Sequence, residues 1–225
     1  MKTVSIALYC EGNTDRRFLP PIITRTARRL LDRFERYDVE VLPIRPIEVV
    51  AKKQKASIVM AARQAAGDHI LIIHADADHP DAYKARLERF EPGYQSVQRS
   101  RGAICKDVLP VIPVQAIEAW MLADHEQLRL AIGTKMEAHA LGIPEKARMV
   151  ESIARPKQKL REAVQKAYAS RPKRKREVDI DFLYQLLGEQ LKLDRLDEVP
   201  AYQQFVFDLT KALERLGFIP RIFLF

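Results

Sequence analysis

Val4-Ser5-Ile6-Ala7-Leu8-Tyr9-Cys10-Glu11-Gly12-Asn13-Thr14-Asp15 decides the reading of this chain. The run up to Cys10 is apolar enough for a strand buried on both faces, and an acid-glycine turn follows it at once. Ile70-Leu71-Ile72-Ile73-His74-Ala75-Asp76-Ala77-Asp78 repeats the plan, an apolar strand run leading into Asp-x-Asp. Glu11, Asp76 and Asp78 therefore stand where two strands of one parallel sheet end, the edge at which open α/β sheets bind ligands. On an extended chain Asp76 and Asp78 face the same side. Two carboxylates so close repel, and a divalent cation removes that penalty. Hard oxygen donors select Mg²⁺ or Mn²⁺ over zinc.

Working outward, strand and helix signals alternate. Asn13 or Thr14 caps a helix carrying Phe18, Ile22, Ile23, Ala27, Leu30 and Leu31 at helical spacing. Val39, Val41 and Ile44 suggest a second strand, and residues 46–66 a helix closed by Gly67. A short helix over 81–90 and a strand over 108–114 follow. This order predicts an α/β fold with right-handed crossovers and a mostly parallel sheet flanked by helices. Beyond Gln115 the strand signals fade, and residues 116–130, 157–169, 180–191 and 201–216 read as helices punctuated by prolines. The expected layout is an α/β core over 1–125 and a helical extension over 126–225 packed on it.

Lys plus Arg outnumber Asp plus Glu by 38 to 30, a formal charge of +8 that suits a polyanionic partner such as nucleic acid. Nothing approaches the ~18 apolar residues that span a bilayer, which argues against a membrane protein. Met1-Lys2-Thr3 leads straight into strand-like sequence, so the expectation is a cytoplasmic protein. Cys10 and Cys105 share no motif and read as buried, reduced thiols. The apolar end, residues 219–225, reads as a tail docked on its own core.

Candidate binding residues surround the acidic pair. Gly12 permits a tight turn or close approach, and the following helix offers its amino end, with Arg16 and Arg17, to a phosphate. Glu118 follows the fourth strand and can complete a metal shell; the bland reading is that it complements a helix dipole. Trp120 reads as core, and Asp124 as a cap or ion-pair partner. His74 and His79 flank Asp-x-Asp and tune it as hydrogen-bonded neighbours. Lys157 precedes the run Arg171-Pro172-Lys173-Arg174-Lys175-Arg176, where acids are few. Lys157, Arg171, Lys173, Arg174, Lys175 and Arg176 form either a phosphate-backbone grip or a solvated loop. Aromatic residues are sparse there, which favours backbone contact over sequence readout.

Glu11-Gly12-x-Thr14-Asp15 after the first strand, with Asp76-x-Asp78 after a later one, resembles the Toprim domain of topoisomerases, primases and OLD-type nucleases. The resemblance implies a Rossmann-like sheet, Mg²⁺ on Asp76 and Asp78, and Glu11 as general acid or base. Asp15 stands where many Toprim proteins carry glutamate. Ile112-Pro113-Val114-Gln115-Ala116-Ile117-Glu118-Ala119-Trp120, with Pro144-Glu145 and Pro156-Lys157, is similar to a compact Toprim-like family of unknown function. That family is often tied to prokaryotic defence loci and ATPase neighbours, implying phage defence and an ATPase partner. The resemblance spans residues 4 to about 160.

Two other folds use similar motifs. His74-x-Asp76-x-Asp78-His79 superficially matches a metallo-β-lactamase motif, but that fold needs several distant histidines and a β-rich sandwich, against five histidines and a helical second half here. A haloacid-dehalogenase phosphatase carries Asp-x-Asp after its first strand, where this chain has Glu11-Gly12. The expectation is a Mg²⁺-dependent nuclease acting on DNA or RNA, with Glu11, Asp76 and Asp78 catalytic and Glu118 a further ligand. The alternative is a non-catalytic Toprim-fold subunit that binds nucleic acid or regulates a partner. No Walker motif occurs, so ATP hydrolysis would come from that partner. Self-association stays open.

Overall fold

A computed structural model describes residues 2–34, 38–50, 53–77, 81–169 and 180–221. The first apolar run makes two strands rather than the single one expected over 4–10: β1 (Lys2–Val4) and β2 (Ile6–Tyr9). The break falls at Ser5, whose hydroxyl lies 2.8 Å from the His69 ring nitrogen and whose carbonyl accepts the His69 and Ile70 amides. Helix α1 (Asp15–Asp32) follows, then β3 (Val39–Val41), β4 (Arg45–Ile47), α2 (Gln54–Gln64) and β5 (Ile70–His74). The helix expected over 46–66 thus gives way to a strand at its start and begins only at Gln54. Pro46 fits β4 because that strand lies at the sheet edge, where a missing amide costs least.

α3 (Ala82–Ala85), a π-turn over Arg86–Phe90 and α4 (Glu91–Arg99) lead to β6 (Val108–Val111). β4, β2, β5 and β6 form one parallel sheet in that order, while β1 and β3 pair separately. The sheet is thus mostly parallel and flanked by helices, as the alternation predicts. β6 also carries a proline at an edge. The carbonyls of Asp107 and Val111 accept amides across from β5, so Pro110 is turned outward.

Side chains alternate between the two faces. Ile6, Leu8, Ile70 and Ile72 join one apolar cluster; Ala7, Tyr9, Leu71 and Ile73 join the other with α2 and α4. The first cluster also takes α1 and the whole second half: α5 (Glu118–Met121), α6 (His125–Ile132), α7 (Ala138–Leu141), a 3₁₀ turn over Ala147–Ser152, α8 (Pro156–Tyr168), α9 (Asp181–Gln190), α10 (Leu193–Leu196) and α11 (Pro200–Arg215). Among the described residues no strand follows β6. The helix expected over 116–130 is broken where Asp124 caps α6 through the Gln127 amide and also accepts the Lys192 amide.

α1 packs along α9, and Arg25 donates to the Gly188 carbonyl of that helix at 3.1 Å. Arg29 clamps Asp197 with two bonds of 2.8 and 2.7 Å. Helical residues from both ends of the chain therefore share one core on the face of the sheet where α1 begins. No helix among the described residues is long and apolar enough to cross a membrane.

Candidate functional site at the carboxyl edge of the sheet

Three adjacent parallel strands, β2, β5 and β6, deliver acidic residues to one edge. Glu11 follows β2 in a bend and is exposed. Gly12 lets the turn approach Asp15 closely: a Cβ there would lie 2.5 Å from Asp15 Oδ2, and the carboxyl would have to shift. Asp15 opens α1 but does not face solvent. It is buried, with its Oδ2 3.3 Å from Nδ1 of His74.

His74 closes β5 and is 1% exposed. Its other ring nitrogen, Nε2, lies 3.4 Å from Asp76 Oδ1. Neither ring nitrogen meets hydrogen-bond geometry, so the pairing is one of charge at close range. Burial alone would lower the His74 pKa, but Asp15, Asp76 and Cys10 outweigh it and hold the imidazole well above its ordinary value. Asp15 shows the matching effect. Burial would raise it, yet His74, the Thr14 hydroxyl and the Gly12 backbone together keep its carboxyl below the usual range. The result is an imidazolium seated between two carboxylates. Cys10 lies against the same ring as a free thiol, its pKa pushed up by burial. Cys105 is likewise buried and free.

Asp76 is the partly open member, with about a third of its side chain exposed. It lies beyond the end of β5 rather than on the strand. Its Oδ1 accepts the Ile117 amide at 3.1 Å, and its carbonyl accepts from Arg89 in the π-turn. Asp78, the expected second member of the pair, lies outside the described residues.

Glu118 follows Ile117 in the first turn of α5 and is buried. It accepts the Tyr184 hydroxyl and has Lys157 Nζ at 3.7 Å. Burial, then Glu118 and Asp15, push Tyr184 well above its usual range, so its phenol stays a donor. Both partners meet Oε1, which leaves Oε2 as the oxygen with which Glu118 could reach a metal. Trp120 is buried core, as the sequence suggests, and Asp124 is a helix cap.

The expected phosphate-binding residues divide. Arg16 pairs with Glu48, and Arg17 lies 3.8 Å from Asp181. Lys157 stands half-exposed beside Glu118. Arg171, Lys173, Arg174, Lys175 and Arg176 lie outside the described residues. Sequence reasoning passed over two members of the cluster. Asp15 stands at the start of a helix, where an acid needs no further reason, and Tyr184 sits in a helix whose only visible signal is amphipathic spacing. His74 offered the better clue, a lone ionisable group closing an otherwise apolar strand.

Among the described residues, no group of three or more His, Cys, Asp or Glu side chains is gathered so as to hold a metal ion. What the edge presents is an Asp15–His74–Asp76 array in which one imidazole offsets part of the charge of two carboxylates, a buried Glu118–Tyr184 pair beside it, and Glu11 facing solvent. Neither the curated proteins nor the solved structures gave a match. A family described as a domain of unknown function, DUF4276, matches residues 10–209, which reach from the thiol beside His74 to α11, and the chain belongs to that family.

Proposed function

We propose that this edge is the active site of a divalent-metal-dependent, Toprim-like nuclease that hydrolyses phosphodiester bonds of DNA or RNA. The observation that carries the reading is the meeting of Asp15, His74 and Asp76 where neighbouring parallel strands end, with the Ile117 amide, next to Glu118, on Asp76. The donor chemistry fits a hard cation. Asp76 is partly open, so it, with Asp78, would hold Mg²⁺ or Mn²⁺, while exposed Glu11 stands nearest the solvent from which the nucleophile comes. When bound, the cation supplies charge for the scissile phosphate and a more acidic water. Glu11, free to reach solvent, takes the proton of the attacking water. His74 holds Asp76 in place and offsets its charge, while the Ile117 amide fixes one of its oxygens. Lys157 offers an ammonium to a phosphate, and Tyr184 keeps Glu118 oriented towards it.

The net charge of +8 supports a nucleic-acid substrate. An ATPase partner and a role in phage defence follow from the Toprim-like resemblance alone.

The test is incubation of the purified chain with labelled DNA and RNA in Mg²⁺, Mn²⁺ or EDTA. Cleavage should require metal and fall at least about 100-fold in Glu11→Gln and in Asp76→Ala. Binding without cleavage, indifferent to both substitutions, would instead identify a non-catalytic subunit of the same fold.

A further inference from the structure

A cleft of about 620 Å³ opens beside the acidic edge, and neither Glu11, Asp15, His74, Asp76 nor Glu118 lines it. Pro110, Ile112 and Val114 line it from β6 and its continuation. Pro200 and Phe205 of α11 form the facing wall, and Tyr83 of α3, 70% exposed, is part of the lining. The cleft and the edge share structure. The Ala77 amide, next to Asp76, donates to the Pro113 carbonyl between Ile112 and Val114 at 3.1 Å. The π-turn over Arg86–Phe90 sends Arg86 to the cleft and Arg89 to the Asp76 carbonyl.

The polar lining runs against the charge of the molecule. Glu151 and Asp208 share the lining with one cation, Arg86, which Asp208 already matches at 2.6 Å. In a chain of net charge +8 this is a local acidic cleft, and it repels phosphate. Glu151 is the group set to read a ligand. Its Oε1 accepts the Ala201 amide at 2.9 Å, and among the described residues Oε2 has no hydrogen-bond partner. A carboxylate only accepts, so its ligand must bring hydrogen-bond donors, and the N–H groups of a base edge supply them. Apolar walls with an exposed tyrosine suit a flat ring.

We infer that the cleft is a nucleobase subsite, selective for guanine, the base that carries paired N–H donors on one edge. This deepens the nuclease reading and rests on it: the Ala77–Pro113 contact joins the acidic edge to the cleft, so a base beside Ile112 and Val114 would adjoin a phosphate bound at that edge. The subsite makes cleavage selective for the base next to the scissile bond.

Metal-free calorimetry of the full chain with guanosine and with uridine tests the subsite apart from the chemistry. Guanosine should bind saturably and at least about tenfold tighter than uridine. Glu151→Gln, which keeps an oxygen for the Ala201 amide but replaces an acceptor with a donor, should remove that preference. Tyr83→Ala alters an exposed side chain that the fold does not need, and should weaken guanosine binding by about tenfold. Asp76→Ala should stop cleavage and leave guanosine binding intact; guanosine binding by a chain that cleaves nothing would fault the nuclease reading and leave the cleft as a base-binding site. Equal affinity for the two nucleosides, no binding of either, or a preference that survives Glu151→Gln overturns the subsite. So does saturable binding of methylguanidine in place of guanosine, which would make the cleft a simple cation site.

Discussion

His74 carries the clearest residue-scale consequence. Asp15 is buried and His74 is its cationic partner, so His74→Ala would leave a carboxylate without its counter-charge in a dry site. Breaking a buried pair from one side costs about 3–5 kcal/mol. Urea denaturation of His74→Ala should show a loss in that range, and Asp15→Asn in the same background should recover part of it. A loss below about 1 kcal/mol would mean that the Gly12 backbone and Thr14 already satisfy Asp15. This pair also marks the limit of what the sequence discloses. Glu11 and Asp76 announce themselves by following apolar strands, because strand ends are local features. That Asp15 turns inward depends on how α1 leaves the sheet, and that Tyr184 meets Glu118 depends on a contact 66 residues apart. No periodicity carries such information.

Between elements, the seam of α1 and α9 is set by a glycine. A Cβ on Gly188 would stand 2.6 Å from the Phe18 carbonyl and 2.8 Å from Pro21 Cγ. By helix propensity alone Gly188→Ala should stabilise by about 1 kcal/mol. Overpacking against a backbone atom costs about 1–3 kcal/mol, so the net expectation is a lower melting temperature. A rise would show that the two helices separate without penalty. Elements with a strong period or a continuous apolar run were legible beforehand: α1, β5, α8 and α11 all fall within a few residues of their expected ranges. β4 was not. Arg45-Pro46-Ile47 buries one side chain, Ile47, and a proline before a helical stretch reads equally well as the first residue of that helix. Only the vacancy beside β2 made it a strand.

At the scale of the molecule, the apolar cluster on the α1 face of the sheet joins residues from Val4 to Ile219. The chain holds a single tryptophan, Trp120, fully buried and edge-on to Tyr202 at 5.4 Å. One shared core predicts one cooperative transition, with tryptophan fluorescence and far-UV circular dichroism melting together in urea. Two separated midpoints would show that the chain divides into independently folding units near residue 125. The two outer strands of the four-stranded sheet, β4 and β6, each carry a proline, Pro46 and Pro110. A borrowed strand could not complete a hydrogen-bond ladder along β6, where the outward amide is missing at Pro110. The sheet that assembles the acidic edge is in this way guarded against templating fibrils.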